Sequence, residues 1–240
     1  MKEVSEMGLV GTISGALAKR VGPGFTGPAV RAVLERAIDG VGPLPGAASS
    51  GDEALKKSGG DTDVAIDDVI DSHVKLAGAQ GFLTNVGGLV TMAVSAPVNL
   101  AAVALLQCHL AAAILHIRGY DLKDPGVRDA ALVCLLDADA QKELAKEVKA
   151  DMSPVTLAKG AHSPEVRQLI NQAVTGALLT NIGGKRVAAF VARRVPFLGG
   201  AVGAAGDAWA TRRIGRETAK LPRAIRPVPT AGHEFIDTTS

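Results

Sequence analysis

The side chains able to do chemistry are few. Five histidines and two cysteines are spread through 240 residues, and no Cys-x-x-Cys, His-Glu-x-x-His or Gly-x-Ser-x-Gly string occurs. His109 and His116 share one face of an apolar helix, but two turns separate them by roughly 10 Å, too far to hold one metal ion. Adding His73 and Asp121 would place a polar cluster at one end of a hairpin, the site that a hydrolase of lipid or peptide would need. Histidines satisfied within a core or an interface are the commoner outcome, and no metal or cofactor is expected. Cys108 and His109 cannot act as nucleophile and base, because neighbours along a helix point about 100° apart. Gly183-Gly184-Lys185 is not a phosphate loop, since Leu179 and Arg186 stand where Gly and Ser/Thr are required. Gly199-Gly200-Ala201-Val202-Gly203 lacks dinucleotide-loop spacing. No catalytic residue is assigned.

Charge is more informative than nucleophiles. Residues 185–226 hold ten cations against Asp207 and Glu217, a net of +8 that leaves −6 for the rest of a chain totalling +2. Such a segment suits an anionic partner, a lipid headgroup layer or a nucleic-acid backbone; the ordinary alternative is a solvated helix face. Only seven aromatic residues are present and none interleaves with the cations in the manner of a base-stacking surface, so nucleic acid ranks last. Lys185, Arg186, Arg193 and Arg194 fan across half a helix, opposite Val187, Ala188 and Val191. Arg212, Arg213, Arg216 and Lys220 share a second sector with Trp209, an arrangement common at headgroup level.

The elements that must position these residues read as helices throughout. Residues 8–20 and 27–40 form two short helices, and 42–62, rich in Pro, Gly and Ser, reads as a linker. Asp63 is placed to cap a helix reaching about Gly78, and from Leu76 to Ile117 not one Asp, Glu, Lys or Arg occurs. Pro97 divides that run, and 97–117 matches the roughly 20 residues that cross a bilayer. The expectation is an uncharged helical hairpin folded near Pro97, either inserted shallowly in a membrane or forming the centre of a bundle. Asp124-Pro125 opens a further helix burying Val127, Ala130, Ala131, Val133, Cys134 and Leu135. Residues 137–152 form an exposed charged helix, and Pro164 begins one running through Val166, Leu169, Ile170 and Val174. From Pro222 the tail is expected to be disordered.

An internal echo links the two apolar regions. Phe82-Leu-Thr-Asn-Val-Gly-Gly88 returns 96 residues later as Leu178-Leu-Thr-Asn-Ile-Gly-Gly184, each copy followed by a proline, Pro97 and Pro196. A degenerate duplication is inferred. Gly87, Gly88, Gly183, Gly184, Gly199 and Gly203 are the candidate glycines for close helix packing.

Three stretches, GFLTNVGGLVTMAVSAPVNL (81–100), HIRGYDLKDPGVRDAALVCLL (116–136) and GGKRVAAFVARRVPFLGGAVGAAGDAWATRRIGRETAK (183–220), together resemble the EcsC family in order and spacing. The resemblance covers about 63–221, leaving 1–62 as N-terminal helices and linker and 222–240 as a tail. It implies an all-α, membrane-associated bacterial protein, in a family named for a member encoded beside an ABC transporter, and it supplies no catalytic residues. The N-terminus makes a poor signal peptide, with Glu3 and Glu6 following Lys2. The expected place is therefore the cytoplasmic face of the membrane. The expected function is binding of anionic lipid, an apolar ligand or a membrane protein, as an accessory to transport or envelope processes. The alternative is a soluble helical interaction module whose uncharged hairpin is only its core.

Overall fold

A computed structural model describes residues 27–86, 89–192 and 198–224, with side chains described outside 80–100 and 181–204. Its elements are α1 (Gly27–Asp39), α2 (Ala47–Lys57), α3 (Thr62–Val86), α4 (Leu89–Ile117), α5 (Pro125–Val133), α6 (Ala138–Val148), α7 (Pro154–Leu157), α8 (Pro164–Ala192) and α9 (Leu198–Ala219). The fold is all-helical, and no named strand occurs among the described residues.

Helix α4 is the axis. Helices α1, α2, α3, α5, α8 and α9 all touch it, and every residue from Ala101 to Leu115 is buried. A helix apolar around its whole circumference must be enclosed on every side, and over 101–115 the protein's own helices enclose it. The part of 97–117 that was long enough to suit a bilayer is thus core over its described length. Among the described residues no helix is long and apolar enough to cross a membrane.

Pro97 does not fold the hairpin. Helix α3 continues past Gly78 to Val86, and α4, starting at Leu89, carries Pro97 within it. A proline removes one intrahelical hydrogen bond, a loss that a long helix anchored by packing over 101–115 can carry. In the second copy of the echo the backbone differs, because α8 runs through Gly183-Gly184 to Ala192. The two copies share sequence but not the position of the helix end.

Two further boundaries depart from expectation. The segment 42–62 contains α2, whose Ala47, Gly51 and Ala54 are buried at helical spacing. Its small residues, read as linker composition, serve close approach to α4. At the start of α3 the cap is Asp61, whose Oδ1 accepts from the amides of Asp63 (2.9 Å) and Val64 (3.1 Å).

The remaining helices follow their sequence signals. Asp124 caps α5 through the Gly126 amide, with Pro125 in the first turn, and Asp137 caps α6 through Ala140. Val127, Ala130, Ala131, Val133, Cys134 and Leu135 are all buried, whereas α6 buries only Leu144. Just past the end of α4, Gly119 (φ +87°) closes the helix: its amide reaches His116 O (2.8 Å) and that of Tyr120 reaches Leu115 O (3.0 Å). That left-handed position is one a side chain rarely adopts.

Arg118 next closes the far end of α9. Its Nη2 donates to Ala219 O (2.7 Å), Tyr120 Oη donates to Pro222 O (3.0 Å), and the Ala224 amide donates to Arg118 O (2.9 Å). The beginning of the tail is therefore tied down through Ala224, contrary to the expectation of disorder from Pro222. Residues 8–20 and 225–240 lie outside the described residues.

Candidate functional site

Helix α9 runs antiparallel to α3, a direction fixed by two cross-helix ion pairs. Arg212 meets Asp71 (3.1 Å) and Arg216 meets Asp67 (2.7 Å). The start of α9 consequently lies at the same end of the bundle as the end of α3, together with the start of α4 and the end of α8. The two segments that supply this end, 72–117 and 166–206, contain no Asp or Glu.

The nine expected headgroup ligands separate into two sets. Arg212, Arg216 and Lys220 are ion-paired, the last to Glu217 (2.7 Å). Arg213 is half-buried, and Trp209 stands out at 68% exposure on α9. Lys185 and Arg186 lie in α8 with side chains outside the described residues, and Arg193 and Arg194 lie wholly outside them. Of the packing glycines, Gly183 and Gly184 belong to α8 and Gly199 and Gly203 to α9, while Gly87 and Gly88 are outside the described residues. The close approach that is described falls elsewhere. At Gly215 a Cβ would sit 2.7 Å from Ile70 Cγ1 and 3.2 Å from Leu110 Cδ2, where α9 crosses α3 and α4.

The histidines do not assemble as a His73, His116, Asp121 cluster. His116 Nε2 bonds Asp52 Oδ1 (2.7 Å), and Asp121 accepts from the Lys123 amide. His73 instead stacks on His109, ring centroids 5.0 Å apart, with His73 Nε2 2.8 Å from His109 Nδ1. His73 Nδ1 must donate to Val69 O (2.8 Å), because a carbonyl can only accept. A neutral pair closes the chain if His109 Nε2 accepts from Ser50 Oγ (3.4 Å); a proton on that nitrogen would instead be donated to Pro45 O, 3.0 Å away. Burial pulls both rings below the ordinary histidine value, His73 to about 4 and His109 to about 3. A small cavity of about 170 Å³, lined in part by Ser50, Glu53, Lys57, Asp68 and Ser72, opens beside them. Among the described residues no group of three or more His, Cys, Asp or Glu side chains could hold a metal. Both cysteines are buried, and burial pushes each thiol up to about 12, away from thiolate chemistry.

The site that sequence reasoning missed is made of arginines far apart in the chain. Arg31 and Glu35 on α1, Lys123 and Arg128 at the start of α5, and Arg167 and Asn171 on α8 line an open cleft of about 470 Å³. Beneath it lies Asp129, fully buried, which accepts from Arg31 Nη2 (2.5 Å) and stands 4.0 Å from Arg167 Nε. Arg128 pairs with Glu35 across the cleft. Single cations at such separations leave no local signal; only the mutual approach of three helices makes them a group.

Compared with known proteins, the chain matches no family model, no curated protein and no solved structure.

Proposed function

We propose that the chain is an EcsC-like helical protein that attaches reversibly, by one end of its bundle, to an anionic membrane surface on the cytoplasmic side, as an accessory to transport or envelope processes. One observation carries this reading. The end formed by the α3–α4 and α8–α9 pairs draws on segments without a carboxylate, and the cations nearest it in sequence are Lys185, Arg186, Arg193 and Arg194. Exposed Leu179 (48%) and Trp209 (68%) lie on the two helices that lead to it. Each basic residue near such a surface contributes about 1 kcal/mol, screened by salt, so four suffice for reversible attachment without deep insertion. The ion-paired Arg212 and Arg216 contribute less, since Asp71 and Asp67 already offset them.

Co-sedimentation with phosphatidylglycerol-containing vesicles tests this. Wild-type protein should bind, lose binding in high salt and ignore phosphatidylcholine vesicles. Substituting Lys185, Arg186, Arg193 and Arg194 together by Gln should abolish binding, while Arg212→Gln with Arg216→Gln should leave most of it. Wild-type protein that stays in the supernatant at low salt would leave the alternative, a soluble interaction module built around α4, which the enclosure of 101–115 favours.

A further inference from the structure

We infer that the cleft between α1, α5 and α8 is a binding site for a soluble phosphate-bearing small molecule. Its wall and floor hold four cations, Arg31, Lys123, Arg128 and Arg167, against two carboxylates, Glu35 and Asp129, a formal excess of two positive charges. Guanidinium groups crowded from three helices repel one another unless anions intervene, and here Asp129 and Glu35 pair closely with Arg31 and Arg128 while Arg167 stands 4.0 Å from Asp129. A dianion closes the account. A phosphate monoester has that charge, and its oxygens point in several directions, which suits donors converging from α1, α5 and α8.

One polar atom at the floor points the same way, and two call for a donor beside the anion. Arg167 Nε is a buried donor without a hydrogen-bond partner, the kind of atom a phosphate oxygen completes, while Asn171 Oδ1 and Asp129 Oδ2, also unpartnered, are acceptors that need a donor from water or from a ligand hydroxyl. Such atoms cost stability in a closed core but are ordinary in a site that a ligand or water completes. Asp129 acts as a positioning residue: held at the bottom by burial, it fixes Arg31 through one oxygen and keeps Arg167 near through the other. The cavity, about 470 Å³, exceeds the phosphate group itself and leaves room for the rest of a small metabolite. The source is soluble rather than lipid, because Arg167 lies 25 residues before the end of α8 at Ala192, roughly 37 Å along the helix from the end proposed to meet a membrane.

Isothermal titration of the full chain with glycerol 3-phosphate, inorganic phosphate and glycerol tests the site. The two phosphates should bind saturably and glycerol should not. Lys123→Gln and Arg167→Gln should each weaken binding by about tenfold or more, the first with an unchanged thermal midpoint because Lys123 holds no buried partner, and Arg212→Gln should bind like wild type. No saturable phosphate binding by the wild type, or equal binding by all three variants, overturns the proposal. Loss of vesicle attachment in Arg167→Gln, with no binding of the soluble phosphates, assigns the cleft to headgroups and overturns it as well. Because the cleft variants should leave vesicle attachment intact, this proposal and the membrane reading fail separately.

Discussion

Two regions of this molecule are rich in arginine, and they are built in opposite ways. On α9 the cations follow one another in sequence, yet Arg212, Arg216 and Lys220 each stand in an exposed pair with an acidic neighbour. In the α1–α5–α8 cleft the cations come from positions as distant as Arg31 and Arg167, and the carboxylate that gathers them, Asp129, is wholly buried. Dense charge along a chain is easily answered by the next helix over. Dense charge in space has to be designed around a buried counter-ion, and it is there that an unmatched excess survives. The energetic expectation differs accordingly, because exposed pairs contribute little while removal of one partner of a buried pair is severe.

The sharpest way to break this contrast is to remove the buried carboxylate. Asp129→Asn keeps the volume but leaves Arg31 without its charged acceptor, beside Arg128 and Arg167. The expected loss is about 3–5 kcal/mol, read as a fall in the urea midpoint at constant slope. A loss below about 1 kcal/mol would put Asp129 in the same class as the α9 partners and erase the distinction.

Acid should strike a third place, the His73–His109 pair, before it reaches either arginine region. Both native-state values lie below the ordinary histidine value of 6.5, so the unfolded chain takes up protons that the folded one refuses. Their contribution is fully present above about pH 6.5 and is lost as pH falls from there toward about 4 for His73 and about 3 for His109. Each proton costs roughly 1 kcal/mol per pH unit in that window. Stability measured between pH 6.5 and 5, where most carboxylates remain charged, isolates the effect. Replacing both histidines by Leu should flatten the slope, and a slope that persists unchanged would place the acid sensitivity elsewhere.

How α9 is seated decides whether its arginines reach their partners at all. Gly215→Ala adds a Cβ against Ile70 and Leu110, an overpacking expected to cost about 1–3 kcal/mol. If the α9 pairs depend on this crossing, the variant should also lose whatever coupling exists between Arg216 and Asp67. Calorimetry of the single and double variants would show it.

These cases mark what could and could not be read along the chain. The helices with strong caps and periodic apolar faces, α5, α6 and the first turns of α8, were legible because Asp124, Asp137 and Pro164 set their starts locally. The hairpin was legible in composition but not in its turn, since Pro97 reads as a breaker along the chain, whereas α4 carries it inside a helix that packing encloses over 101–115. Helix α2 hid inside a Gly- and Ser-rich stretch because small residues signal loops in isolation and tight contact in a bundle. On α9 the charged face was visible, but Asp67 and Asp71 lie about 150 residues earlier and nothing local pairs them with it. The cleft was illegible for the same reason in reverse, its members being unremarkable one by one.

The smallest expected effect is the one that tests the contrast from its weak side. Arg212 and Asp71 are each about half exposed, as are Arg216 and Asp67. Water screens such pairs and their long side chains lose entropy when held, so a double-mutant cycle should return a coupling of about 0–1 kcal/mol for either pair, falling further in high salt. Asp67→Asn and Asp71→Asn together should therefore leave the fold almost unchanged while uncovering two cations on α9. That freedom makes the pair of substitutions a direct probe of the membrane reading. Vesicle attachment should strengthen, because the offsetting carboxylates are gone and Arg212 and Arg216 become available beside Trp209. Unchanged attachment would confine the membrane contact to the carboxylate-free end and leave the face of α9 a solvated surface.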